Sequence, residues 1–91
     1  MKTMDIIFND EDYYNELIRD IGEWCGAHGI PEAKIIVGVK EEHFDDVDYY
    51  VIIVNEPLFS YLMIREFGMF DKYGREGWNG YIESNYNCET A

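Results

Sequence analysis

Val47-Asp48-Tyr49-Tyr50-Val51-Ile52-Ile53-Val54 is apolar at nearly every position after Asp48. Its β-branched and aromatic content reads as a strand. A run of the same character precedes it, Lys34-Ile35-Ile36-Val37-Gly38-Val39-Lys40, and the polar stretch Glu41 to Asp46 between them has hairpin length. Near-continuous apolarity suits a central strand covered on both faces. The alternative is a strand with one face on a helix and the other on a partner. Tyr49 and Tyr50 must point to opposite faces, so at most one packs against a helix.

Upstream, Met4 to Phe8 is a short apolar run that reads as an edge strand. Asn9 supplies a side-chain oxygen for a helix N-cap, and Asp10, Glu11 and Asp12 then suit the positive end of the helix dipole. From Tyr14 onward Leu17, Ile18, Ile21, Trp24 and Cys25 recur with a period near 3.6, the signature of an amphipathic helix. Gly29, followed by Ile30 and Pro31, ends it with a left-handed turn. Gly22 and Gly26 weaken the helix by ~1 kcal/mol each relative to Ala, and offer another element a close approach.

Downstream, Asn55-Glu56-Pro57 has helix-start chemistry. Leu58, Phe59, Leu62, Met63 and Phe67 then follow a helical pattern closed by Gly68, with a third meander strand over Leu58 to Ile64 as the alternative. The last third mixes glycine with Phe70, Tyr73, Trp78 and Tyr81, and predicts one late strand near Trp78 to Glu83. The whole reads as a single α+β domain: an antiparallel sheet of three to four strands packed by one or two helices. Ninety-one residues allow one core, and 16% aromatic content is enough to fill it.

Charge is the strongest functional signal. Nineteen acids against seven Lys and Arg give a net charge of -12. Such an excess costs self-repulsion in the compact state, which points to a surface kept for its field and for a positively charged partner. Asp12, Glu16, Asp20 and Glu23 are spaced four, four and three apart, one stripe opposite the apolar helix face. Successive carboxylates on such a stripe lie ~5 to 6 Å apart, a repeat comparable to the phosphates of a nucleic-acid strand. Glu41, Glu42, Asp45, Asp46 and Asp48 crowd the predicted hairpin tip. A solvated helix face and a tip that discourages edge pairing explain each cluster singly. The whole-chain excess, with neither cluster interleaved with Lys or Arg, favours a binding surface.

In size, charge and tyrosine-plus-acid character the chain resembles the small acidic anti-defence proteins of phages and mobile elements, the anti-CRISPR and anti-restriction nucleic-acid mimics. The resemblance rests on no aligned motif, so no family residue is carried over. It implies an inhibitor acting in the host cytoplasm on a basic nucleic-acid-binding protein, such as a CRISPR effector or nuclease, by blocking its groove. Carboxylates would meet the Lys and Arg that neutralise phosphates, and exposed tyrosines would stack where bases stack. No catalysis and no cofactor are implied. The rival reading is an acidic immunity protein or adaptor that neutralises a toxin, separable only by its partner.

Other classes find less support. Direct nucleic-acid binding needs a basic patch, anionic membrane surfaces would repel the chain, and no apolar run approaches the ~20 residues of a span. Asp45-Asp46-Val47-Asp48 lacks the glycine and closing glutamate of an EF-hand loop. Cys25 and His28, three apart, have no second ligand pair for zinc, and a thiol on the apolar face is a core residue. His28 suits the negative end of the helix dipole. The glycines of the tail follow no nucleotide fingerprint. Cys25 and Cys88 fit isolated thiols in a reducing cytoplasm, with one disulfide as the alternative, and the opening residues are unlike a signal peptide. The tail aromatics either close the core or, through Trp78, anchor a partner. The sequence leaves open whether the chain dimerises through its apolar second strand.

Overall fold

The computed structural model describes residues 1–68 and 74–91. Strand β1 (Thr3–Phe8) leads into helix α1 (Glu11–His28) and a single helical turn α2 (Glu32–Ile35). Strands β2 (Ile36–Phe44) and β3 (Val47–Asn55) follow, then helices α3 (Glu56–Phe67) and α4 (Gly74–Tyr86) and the two-residue strand β4 (Glu89–Thr90). The strands form one antiparallel sheet in the order β2-β3-β1-β4. The fold is therefore α+β with four strands, as the sequence predicts, but with four helices among the described residues where one or two were expected.

Local chemistry sets the boundaries. Asp10, not Asn9, caps α1: its Oδ1 accepts the backbone N–H of Asp12 at 2.9 Å. Gly29 closes the helix at φ 66°, in the left-handed region where a Cβ would be costly. Asn55 caps α3 by accepting the N–H of Leu58 at 3.1 Å, with Pro57 in the first turn, so Leu58 to Ile64 is helix and not strand. β2 and β3 are joined by Asp45 and Asp46 alone, at φ 50° and 61°. Two positive φ values in a two-residue loop make the type I′ hairpin turn that matches strand twist. Both strands are thus longer than the sequence suggests, and Glu41 and Glu42 belong to β2.

The core is built on one side of the sheet. Met4, Ile6 and Phe8 of β1 face the same way as Ile52 and Val54 of β3, by register and by strand alternation. Leu17, Ile21 and Cys25 of α1, Ile35 of α2 and Phe59, Leu62 and Met63 of α3 close over them. α4 adds Trp78, Ile82 and Tyr86, four apart on one helix face. That spacing overrides the glycines around it, so the expected strand at Trp78 to Glu83 is helix; the late strand is β4 instead. Phe70 and Tyr73, the other tail aromatics, lie outside the described residues.

β1 is not an edge strand, because β4 pairs with its free side at Ile6 and Ile7. β3 is central and carries the main core cluster on one face; on its other face Val51 is buried at 2% exposure, and Ile53 and Tyr49 are half-buried. Of the two helix glycines, Gly22 is crowded: a Cβ there would sit 3.2 Å from Glu32 Oε2, while Gly26 has open space.

Candidate partner interface

No polar or charged residue is buried among the described residues, so their acidity is a property of the surface. On α1, Asp12, Glu16 and Glu23 are exposed. Asp20 is different. Its Oδ2 accepts the phenolic O–H of Tyr86 at 2.6 Å, and Arg19 Nε lies 3.8 Å from its Oδ1. Asp20 thus holds α4 to α1, and the stripe offers three free acids where the sequence suggests four.

The hairpin divides the second group of acids. Glu41 is opposite Tyr50, and Asp48 opposite His43, both on the helix side of the sheet. Glu42 is opposite Tyr49 on the other face, where Lys40 Nζ approaches its Oε1 at 2.9 Å. Asp45 and Asp46 form the tip. His43 Nδ1 shares a 2.8 Å hydrogen bond with Asp48 Oδ1, and its Nε2 lies 4.0 Å from Asp46 Oδ1.

On the helix side the structure assembles a group that sequence reasoning missed. The rings of Tyr14 and Tyr50 lie 5.6 Å apart, and Phe8 meets Tyr14 edge-on at 5.9 Å. Around this pair stand Glu11 from the first turn of α1, Glu41 from β2 and Asp48 from β3. Their effect on the phenols reports their proximity. Partial burial first, then the charges of Glu41 and Glu11, push the Tyr14 hydroxyl above its usual range. Tyr50 is raised by desolvation first, then by Glu11, Asp48 and Glu41. Since Glu11 is adjacent to Asp12, the first turn of α1 joins this group to the helix stripe. The signal was present: a two-residue turn at Asp45-Asp46 pairs Glu41 with Tyr50. Reading the turn as six residues hid it.

Trp78 lies in the core. It is 0% exposed, meets Phe59 edge-on at 5.2 Å, and its Nε1–H donates to Ser60 Oγ at 3.2 Å. It has no surface to offer a partner; of its two readings, core closure is the one realised. Cys25 and Cys88 are free thiols. Cys25 is packed under α1, and Cys88 Sγ–H donates to the Ile82 carbonyl at 3.6 Å. His28 pairs with Glu66 Oε2 at 2.7 Å, joining the C-terminal end of α1 to α3. No group of three or more His, Cys, Asp or Glu side chains is placed to hold a metal ion among the described residues. No helix among them is long and apolar enough to cross a membrane.

No protein-family profile, curated protein or solved structure matches the chain.

Proposed function

We propose that this protein is an inhibitor that binds the basic groove of a nucleic-acid-handling protein, of the anti-CRISPR or anti-restriction kind, and excludes its nucleic acid. The observation that carries the reading is the convergence of Glu11, Glu41 and Asp48 on the Tyr14–Tyr50 pair in a chain of net charge -12. Carboxylates flanking half-buried phenols, their rings tilted 40° to each other, present the two chemistries that a groove reads in a nucleic-acid strand, negative charge and aromatic surface. Asp12 and Glu16, continuing along α1, extend the negative row. The exposed acids of the tip, Asp45 and Asp46, flank it on the hairpin side.

The mechanism needs no reaction. The field steers the basic partner into contact, association is fast at low salt, and the bound protein occupies the groove. Rim charges act mainly on the association rate and its salt dependence.

The test is affinity capture from host lysate with tagged protein, eluted by salt or by duplex DNA, followed by mass spectrometry. A triple variant, Glu11→Lys, Glu41→Lys and Asp48→Lys, is compared on the captured protein. The expected result is a basic nucleic-acid-binding protein displaced by DNA, with affinity lowered about tenfold or more in the variant at low salt. Capture unchanged by the triple reversal and insensitive to salt would overturn the proposal.

A further inference from the structure

The face of the sheet turned away from the helices is the part of the molecule that acidity alone does not explain. By register and alternation it carries Asp5 and Ile7 of β1, Lys40 and Glu42 of β2, Tyr49, Val51 and Ile53 of β3, and Glu89 of β4. Its centre is apolar and its polar groups lie around it. The one cation in this set, Lys40, is already held by Glu42, and Asp5 adds to the attraction. The face is therefore net negative with a neutralised lysine.

At one end of this face is a concavity of about 340 Å³. Ile7, Asn9, Tyr49, Asn87 and Glu89 line it, and among the described residues no cationic side chain does. Asn87 stands at φ 49° in the turn between α4 and β4, which brings this turn back beside β1.

We propose that this cavity receives an arginine side chain of the basic partner, making this end of the sheet face a second docking surface. The inference rests on the proposed function for the partner being a basic protein. The chemistry fits a guanidinium better than an ammonium. A planar cation stacks on a tyrosine ring, and its fork of N–H donors matches a carboxylate and amide oxygens together. Tyr49, Glu89, Asn9 and Asn87 supply those groups, and Ile7 packs the aliphatic stem. A second copy of the chain is the poorer occupant, because two faces of the same negative sign would meet in a molecule already carrying -12.

The test uses the whole protein, isotope-labelled for NMR, titrated with capped arginine (acetyl-arginine amide), capped lysine and capped norleucine. The expected result is saturable shifts at Ile7, Asn9, Tyr49 and Glu89 with capped arginine, weaker with capped lysine and absent with capped norleucine. Glu89→Gln should weaken the arginine response about tenfold, and Tyr49→Leu should remove the preference over lysine, both with otherwise native spectra. Shifts spread over all acidic residues, an equal response to norleucine, or no effect of Glu89→Gln would overturn it. So would concentration-dependent broadening confined to this face, which would give the face to a second copy. Repeating the titration on the Glu11, Glu41 and Asp48 triple variant separates the two proposals. Retained arginine binding in this variant with lost groove-protein capture is the result both proposals expect; lost arginine binding would overturn the cavity as a separate site, and unchanged capture would overturn the proposed function alone.

Discussion

The phenolic O–H of Tyr86 on α4 donates to Asp20 Oδ2 on α1 at 2.6 Å, across 66 positions of the chain. It is the bond that spends one acid of the helix stripe on the fold. Burial first, and the Asp20 carboxylate next, hold the Tyr86 hydroxyl far above its ordinary range. A raised folded pKa means the stabilisation is complete below the ordinary phenol value of ~10 and is lost as pH rises beyond it. Tyr86→Phe is expected to cost about 1 to 2 kcal/mol at neutral pH, since a hydrogen bond to a charged group is lost. Between neutral pH and about pH 11 the difference between the two proteins should shrink. Urea unfolding followed by circular dichroism across that range checks both; a constant difference at every pH would refute the assignment.

Trp78 tests whether the tail is core or anchor. Fully buried against Phe59 and bonded to Ser60, it should behave as the centre of α4 packing. Trp78→Ala is expected to cost about 3 to 5 kcal/mol, a large share of the 5 to 15 kcal/mol typical of a domain. The urea midpoint of the variant measures it. A loss below 1 kcal/mol, or ready quenching of its native fluorescence by iodide in a Trp24→Phe background, would contradict the buried placement.

Much of the fold was legible because its signals are local. The apolar period from Tyr14 to Cys25, the Gly29 stop, the Asn55–Pro57 start and the β-branched run of β3 each carry their meaning within a few residues. The failures came where meaning depends on something distant. α4 is hidden in the sequence because Gly77 and Gly80 obscure the four-residue spacing of Trp78, Ile82 and Tyr86, a spacing that matters only once α1 and α3 are there to bury it. β1 became an interior strand through two residues at the far end of the described chain, Glu89 and Thr90. The candidate interface was half legible for the same reason. Acids on one helix are countable from spacing, but the meeting of Glu11 with Glu41 depends on a two-residue turn. That turn is made by Asp45 and Asp46, a pair with no glycine to mark it.

The Asp45-Asp46 turn is consequently improvable. Each aspartate pays for a left-handed backbone, about 1 to 2 kcal/mol for a general L-residue and less for Asp or Asn. Asn-Gly is the preferred type I′ pair. Asp45→Asn with Asp46→Gly should raise stability by about 0.5 to 1 kcal/mol, after the entropy that glycine loses on folding. Thermal unfolding should show a gain of several degrees. A lower midpoint would mean the two φ values are not those of the folded protein. The same variant removes two tip charges without disturbing the Glu11, Glu41 and Asp48 group, so the proposed groove binding should fall less than in the triple reversal.

The two cysteines make the last case, because their environment predicts inertness from two causes. Desolvation is the main reason the Cys88 thiol is pushed up to about 12, with Glu83 and Glu89 adding to it; Cys25 is raised by burial and then by Glu32. The thiolate is the nucleophile, so at pH 8 a thiol near 12 has on the order of a thousandfold less of it than an ordinary cysteine. Cys88 borders the sheet-face cavity, while its side chain packs against the core cluster and bonds the Ile82 carbonyl. Slow labelling there would therefore reflect charge and desolvation, whereas at Cys25 it would reflect burial. Native protein is expected to react slowly with an aromatic disulfide reagent at pH 8 and promptly in denaturant. In a Cys25→Ala background the Cys88 rate should climb as pH rises toward 12, with its contribution to stability declining above the ordinary thiol range of about 8.5. Prompt stoichiometric labelling of native Cys88 at pH 8 would show that its thiolate is not suppressed, and that Glu83 and Glu89 do not govern that end of the sheet.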